Sequence, residues 1–589
     1  STHYPVKTVS ARIFRAGEIP FWNFHDGGGQ PLAGNPNTLT FYPDNLLYLL
    51  LPLHVAFNLH FLLHLIAGWF AMRALIRRAE ARPTLEAAPR SPASLATPRR
   101  PGFSPASFGA WLWVLSGAAI SACAFYNLIT AIALIPLAFL AVERRSIALF
   151  GIAFGLMALA GEPVTLLATA LACAVLLPRP RMFLAIPIAL AIALPQWIAY
   201  REIAAEVERG AHRYSAQTVL SASFDPRRIL ELIAGPLLRI DGPHLFPYLI
   251  IGVIVVPALA LRSRYTVVAL VMFFFALGRF NPFISIAVQS IDVLRLVRYP
   301  EKFALPMCAA LVVLSAMYYE KKQRRIWMEI TFAPLLFWCV WLAPIDWWSP
   351  YDVTAKPERV YMAAHTGGQE PDRAEYRERA RRLEPLFGAT AGLQYVLNRS
   401  GDGMHSLLSR VAVERFEITH NQRYLRIAML PDAFIVDRAI GVASVNEAVR
   451  IIETTSLDEK ATAVATKRYD GFLSSGGSVR YARNGQTIHI TTTTSAPALV
   501  FVNESFFTAW DARDAQGRAL ATTPLDLDRL GILVPAGTTD ITLRFGRHRT
   551  AVALAWLLSS IVVLLAALVE IRNRHRGQEE RPADENRAV

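Results

Sequence analysis

AVALAWLLSSIVVLLAALV (551–569) runs nineteen residues without a charge and is closed by Glu570-Ile571-Arg572-Asn573-Arg574-His575-Arg576. An α-helix needs about 20 consecutive apolar residues to cross the hydrocarbon core of a bilayer. A helix lying on a water-soluble core shows a polar face at helical spacing, and this stretch has none. Similar blocks recur upstream at 46–75, 182–200 and 303–319. Others are paired across short breaks: 111–124 with 128–142, 147–160 with 164–177, and 246–261 with 267–277. With 326–343 the set predicts about eleven spans. Several blocks are shorter than a full span, which leaves re-entrant hairpins open.

The placement of Lys and Arg is an independent test, because short cytoplasmic loops collect basic residues. Arg73, Arg77, Arg78, Arg82, Arg90, Arg99 and Arg100 follow the first block, and Arg144 and Arg145 the third. Arg179 and Arg181 follow the fifth, Arg262 and Arg264 the seventh, and Lys321, Lys322, Arg324 and Arg325 the ninth. Every odd-numbered exit is basic, so residues 1–44 and 345–549 are expected outside. An outward N-terminus in turn predicts a further span or signal segment ahead of Ser1.

The chain has 589 residues, 53% of them hydrophobic, with mean hydropathy +0.32 and formal net charge +14. The basic excess sits largely where topology demands it, so no nucleic-acid partner is expected. Cys123, Cys173, Cys308 and Cys339 all fall in apolar blocks and read as buried small hydrophobes. No CxxC, HExxH or phosphate-loop pattern is present.

Residues 1–44 are rich in Gly, Asn and Pro and read as an external loop. Body 45–344 carries the spans, interrupted by an Ala/Pro/Ser/Arg linker at 80–107 that reads as disordered, and by an external excursion at 201–247. Within that excursion 202–208 has helical spacing. Domain 345–549 opens with a charged helix-like stretch, 373–386, and then alternates like strands at 423–429, 461–466, 487–492 and 498–503. Residues 532–537 and 541–545 read as two strands joined by a turn. A mostly antiparallel β-sandwich is expected there, followed by a last transmembrane helix (550–571) and a cytoplasmic tail (572–589). The fold class is thus an α-helical polytopic membrane protein with a C-terminal external β-rich domain and a final transmembrane helix.

Several segments together resemble the YfhO-like family of bacterial membrane proteins, within the GT-C class of integral membrane glycosyltransferases. They are Arg15-Ala16-Gly17-Glu18-Ile19-Pro20-Phe21-Trp22-Asn23, Gly29-Gln30-Pro31-Leu32-Ala33-Gly34-Asn35-Pro36, Phe41-Tyr42-Pro43, Ala160-Gly161-Glu162-Pro163 and Leu296-Val297-Arg298-Tyr299-Pro300-Glu301-Lys302-Phe303. Near the end, Ala509-Trp510-Asp511-Ala512 and Val534-Pro535-Ala536-Gly537 resemble the family's closing β-segment. The resemblance implies a GT-C-like fold in the bacterial inner membrane, its large domain external. It implies sugar transfer from a polyprenyl-phosphate donor to an envelope glycan or lipid acceptor on the outer face. A transporter or flippase of lipid-linked sugars, and a non-catalytic envelope scaffold, are the rival readings. One departure stands out: GT-C enzymes place a catalytic acid just after the first span, a position that falls at or before Ser1 here.

Such chemistry needs a carboxylate to accept the acceptor's proton and cations to neutralise the leaving phosphate. Asp26, beside His25 in a glycine-rich loop, is a candidate base or metal ligand, or a turn-forming Asp. Asp44 is a second candidate, or a residue that complements a helix N-terminus. Glu162 is the single charge between two apolar blocks, so it is either a boundary base or a solvated turn residue. Arg298 and Lys302 are candidate donor-phosphate ligands, with Glu301 between them, or snorkelling side chains in a local ion pair. Asn35, Asn37 and Asn127 are candidates for sugar hydroxyls, or turn and helix-end residues. A divalent metal is a possible cofactor without assigned ligands.

Overall fold

The structure is a computed structural model, and it describes residues 3–80, 104–176, 179–211, 214–238, 240, 242, 244–296, 298–322, 325–341, 359–361, 389, 393–397, 404–456, 458–474 and 476–579. Most of the linker, the charged stretch 373–386 and the tail beyond 579 lie outside these residues. The described chain is mostly helical, with a β-rich region towards its C-terminus. It divides into two compact units: Ser1–His54 with Pro195–His212 and Ser349–Leu554, and Val55–Leu194 with Arg213–Trp348 and Ala555–Val589.

The first unit opens with a helix where the sequence suggested loop, α1 (His3–Arg15), which buries Tyr4, Lys7, Val9 and Ala11. A short hairpin follows, β1 (Trp22–Asn23) and β2 (Gln30–Pro31), with Trp22 opposite Pro31. Strands β3 (Arg359–Tyr361) and β4 (Gln394–Val396) pair in parallel. Ten more strands form two sheets. They are β5 (Ala433–Val436), β6 (Arg438–Val442), β7 (Thr462–Thr466), β8 (Gly477–Asn484), β9 (Thr487–Thr494), β10 (Ala498–Ser505), β11 (Trp510–Asp514), β12 (Thr522–Leu525), β13 (Arg529–Val534) and β14 (Gly537–Phe545). The six-stranded sheet has order β5-β10-β13-β12-β7-β6, and the four-stranded sheet β11-β14-β9-β8.

In β9 and β14 every second residue is buried, and Ile490 and Ile488 face Ile541 and Leu543 across the ladder. Period two is the signature of a sheet with one wet face. β10 is buried at all its positions, as suits an inner strand paired on both edges. Neighbours are antiparallel except β3–β4 and β6–β7; the β6–β7 crossover is made by helix Val445–Thr454. The strands at 532–537 and 541–545 exist, yet β13 and β14 join different sheets, so the turn between them passes the chain from one sheet to the other.

Two expectations in this unit are corrected. Segment 423–429 is a helix, Gln422–Ala428: the Asn421 side chain accepts from the Arg423 N–H, and Tyr424, Ile427 and Ala428 bury one helical face. Within segment 202–208, residues 202–206 are a run of turns, Val207 bridges to Ser406, and only Glu208 is helical, opening the short helix Glu208–Ala211. Glu202 accepts from the His548 N–H (2.7 Å) and Glu206 from the Thr508 N–H (2.9 Å), so tertiary hydrogen bonds override the helical spacing.

The second unit contains α2 (Leu53–Glu80), α3 (Pro105–Val114), α4 (Thr130–Arg144), α5 (Ile147–Leu159), α6 (Pro163–Val175), α7 (Ile186–Arg201), α8 (Arg264–Ala276), α9 (Ala304–Lys322) and α10 (Arg549–Glu579), some of them running on beyond it. Among the described residues four helical stretches are long and apolar enough to cross a membrane: Leu53–Ala79, Pro180–Arg201, Pro300–Lys321 and Arg549–Asn573. Pro300–Lys321 is the central one, 78% buried against 22% for Arg549–Asn573. Gly151 and Gly155 face Ile188 and Ile192 so closely that a Cβ on either would stand 2.6 Å from the neighbour. Their i, i+4 spacing puts both on one helix face, the arrangement that lets two apolar helices approach.

The other expected blocks are unequal. Block 111–124 breaks at Ser116, which caps a short helix, Gly117–Ala122. Block 246–261 is helical only over Val255–Ala258. The remainder is a buried irregular segment whose backbone is satisfied from outside: Gly117 donates to the Ile250 carbonyl (2.7 Å), and Ile251 and Gly252 donate to Leu232. Irregular backbone in apolar surroundings is tolerated where protein supplies such partners. An uninterrupted apolar run therefore has two readings, and periodicity does not separate them.

Candidate functional site

Glu162 lies in a reversal between α5 and α6. Gly161 takes φ 70, a left-handed angle that costs glycine little, and Pro163 opens α6. The carboxylate occupies the cap position without capping. It turns instead to Asn127, whose Nδ2 donates to Oε1 at 2.6 Å, and to Lys302, whose Nζ donates to Oε2 at 2.5 Å. Thr165 Oγ1 is 3.5 Å from Oε2. Both charged side chains are largely buried, with about a tenth of each exposed.

Lys302 sits in the 3-10 turn Pro300–Phe303, which is set up by Tyr299 at φ 69. The sequence grouped Arg298, Glu301 and Lys302, and the turn separates them. Glu301 is fully enclosed, ion-paired with Arg228, and accepts from the Leu245 N–H (2.7 Å). Its role is to hold the irregular segment at 245–246. Arg298 is half-buried, its guanidinium carbon 4.7 Å from the centres of both the Tyr214 and Tyr299 rings. It has no hydrogen bond or ion pair among the described residues, and neither has the Tyr214 hydroxyl, which is buried. The Tyr299 ring also faces Lys302 Nζ at 5.9 Å, so one ring lies against both cations. The result is a carboxylate held by an amide and an ammonium, with a guanidinium on an aromatic face nearby. That set can orient a hydroxyl and accept its proton while binding an anion.

The other candidates belong to the first unit. Asp26 is buried, and its carbonyl accepts from the Gly29 N–H in the β1–β2 turn (2.8 Å). Its carboxylate lies 3.8 Å from His405 Nε2. Gly27, Gly28 and Gly29 all have positive φ, and the space above Gly28 is taken by Arg529 and that above Gly29 by Trp22. Asn35 caps the turn Pro36–Thr38 by accepting from the Asn37 N–H. Asp44 precedes helix Asn45–Leu50 without capping it.

Sequence reading missed Lys7. Its Nζ donates to Asn45 Oδ1 (2.9 Å), and burial holds it down at about 8, partly offset by the Asp44 carboxylate. Nothing in the sequence of α1 marks a lysine as interior. Glu504 was missed as well. It is buried in β10, accepts from Trp22 Nε1 (2.9 Å), and is pushed by desolvation up to about 7, the Trp22 bond opposing. Asp526 is likewise raised to about 7 by burial.

A carboxyl whose folded pKa is raised holds its proton more tightly when folded than when unfolded. Stability is then fully present below the unfolded pKa and declines as pH rises towards the folded value. The thermal midpoint of the first unit is expected to fall between about pH 4.5 and 7 and then level off. Glu504→Gln should flatten part of that slope. Trp-fluorescence melts of the full chain at stepped pH measure it, and a midpoint that rises through this window refutes the assignment.

Among the described residues no three of His, Cys, Asp and Glu gather to hold a metal ion. The positive charge near Glu162 comes from the side chains of Lys302 and Arg298. No protein-family model matches the chain, and no curated protein or solved structure matches it either.

Proposed function

We propose that this chain is a multi-pass membrane enzyme that moves a sugar from a polyprenyl-phosphate donor to a cell-envelope acceptor on the outer face of a bacterial inner membrane. The observation that carries the reading is the Glu162–Lys302–Asn127 cluster at the ends of apolar helices, with Arg298, which has no ion pair among the described residues, sharing the Tyr299 ring. Support for the membrane comes from α10, which exposes Leu554, Leu557, Leu558, Ile561, Leu564, Leu565 and Leu568 along one face. Apolar surface on that scale calls for an apolar solvent. Arg73, Arg77 and Arg78 at the end of α2, and Arg572 in the last turns of α10, suit the cytoplasmic ends of two such spans.

In this reading the bond from the sugar's anomeric carbon to the donor phosphate oxygen breaks, and the acceptor oxygen bonds to that carbon. The acceptor's proton passes to Glu162. The phosphate leaves with the electron pair of the broken bond and is neutralised by Arg298. Lys302 and Asn127 hold the Glu162 carboxylate in place. Asp26 and Asp44 enter as comparison carboxylates.

Membranes carrying the full chain, given a radiolabelled panel of polyprenyl-phosphate sugars, provide the test. Label is expected to move from lipid to an envelope acceptor. Glu162→Gln should lose on the order of 10²-fold or more of that transfer, and Arg298→Ala should lose a comparable factor. Unchanged turnover in Glu162→Gln removes that residue from the chemistry. Sugar movement across sealed vesicles without conversion turns the reading to a transporter.

A further inference from the structure

We infer that the second unit carries a binding site for an anionic glycerophospholipid, built by Arg73, Trp69 and Trp111 at the basic end of α2. The inference rests on the membrane reading above and concerns the end of α2 where Arg77 and Arg78 are exposed.

One side of α2 is packed. Gly68 stands against the Ile132 carbonyl of α4, 2.7 Å from where a Cβ would lie, and Met72, Leu75 and Ile76 are in the core. The opposite stripe is not. Leu62, Leu63, Ile66 and Phe70 are exposed at i, i+3, i+4 spacing, and the same stripe continues into Trp69, Arg73 and Arg77. It is an apolar track that ends in cations.

At that end Arg73 stacks on the Trp69 indole, its guanidinium carbon 5.0 Å from the ring centre. Trp69 in turn meets Trp111 of α3 edge-on at 5.9 Å, and Trp111 is 43% exposed. Arg73 forms no hydrogen bond or ion pair among the described residues. Its Nε and the Trp69 Nε1 are enclosed donors without an acceptor among the described residues. A buried donor left unpaired costs about 1–3 kcal/mol, so an acceptor that reaches these atoms is favoured.

The missing partner must therefore carry an anionic oxygen and an apolar body that fits the track. A phospholipid phosphate with its acyl chains has both. Basic clefts between membrane helices, flanked by Trp at headgroup depth, suit such headgroups. The side with the basic exits is the one whose lipids are anionic, which favours a glycerophospholipid over the polyprenyl phosphate assigned to the Glu162 site.

The full chain in phosphatidylcholine nanodiscs, titrated with phosphatidylglycerol, tests the site by thermal midpoint and by native mass spectrometry of retained lipid. Phosphatidylglycerol is expected to raise the midpoint and to be retained at low stoichiometry. Arg73→Gln should weaken retention about tenfold, the equivalent of one charge-assisted hydrogen bond. Trp69→Phe, which keeps the ring and removes the N–H, should weaken it less. Arg77→Gln/Arg78→Gln should leave specific retention in place. Equal loss in that double variant and in Arg73→Gln overturns the site in favour of diffuse attraction, and so does wild-type retention in Arg73→Gln. Displacement by polyprenyl phosphate at equal concentration overturns the choice of lipid. Wild-type titration keeps the test informative if a variant fails to fold. A chain that does not enter bilayers defeats the membrane reading itself, whereas a chain that enters and ignores phosphatidylglycerol defeats only this site.

Discussion

Gly29→Val is expected to prevent the first unit from reaching its native packing, and Gly28→Ala to destabilise it by roughly 2–6 kcal/mol, from left-handed strain together with overpacking. At Gly29 the backbone has φ 107, and a Cβ would lie 2.2 Å from the Trp22 indole. That ring has nowhere to go: its N–H is bonded to Glu504, and Phe507, Trp510 and Phe545 surround it at centroid distances of 4.3 to 5.7 Å. At Gly28 the obstacle is Arg529 Nη1 at 2.1 Å, on a side chain 1% exposed. Gly17 is the control, with φ 79 but nothing within 4 Å, so Gly17→Ala should cost only the backbone term. Near-UV circular dichroism and limited proteolysis read the difference. Wild-type behaviour in Gly29→Val would mean that the hairpin turn swings free of the indole.

Glu301→Ala is expected to destabilise the second unit by about 3–5 kcal/mol, the usual result of breaking a buried ion pair by removing one partner. Arg228 and Glu301 are at most 1% exposed, and Arg228 would keep only Glu231 and the Phe246 carbonyl. The Leu245 and Phe246 N–H groups would also lose their acceptor. Glu301→Gln keeps an acceptor oxygen and should cost less. A replacement of the whole cluster, Arg228→Met with Glu231→Gln and Glu301→Leu, should recover part of the loss, since a well-packed apolar group can match a buried ion pair and no carboxylate is left without its cation. Thermal unfolding in detergent orders these variants, and Glu301→Ala more stable than the triple replacement would refute the argument from a broken ion pair.

The apolar helices were legible because their signal is local. The blocks at 46–75, 182–200, 303–319 and 551–569 correspond to the four long apolar helices. The alternating strands from 461 onward were legible for the same reason. Segment 423–429 misled because Tyr424, Ile427 and Ala428 are apolar at positions that fit either period, and the cap that decides lies at Asn421, before the window. Glu162 and Lys302 each stood out as a charge at the edge of an apolar block. Their pairing did not, because 140 residues separate them. Lys7 and Glu504 were invisible for a related reason: burial belongs to the folded neighbourhood and not to the residue.

The first unit is drawn from three stretches of chain, the last ending at Leu554. Trp22 leaves the ribosome 523 residues ahead of Phe545, the ring it lies against at 4.3 Å. At about 5–20 residues per second, that is a wait of roughly half a minute to two minutes. Throughout it, the indole and the glycine turn lack their native neighbours from the C-terminal strands. A nascent chain in this condition presents apolar surface long before its sheets exist, so its biogenesis is expected to depend on a holding chaperone at the N-terminal hairpin. A stop codon placed even shortly before β14 should yield a product cleared by proteolysis rather than a smaller stable domain.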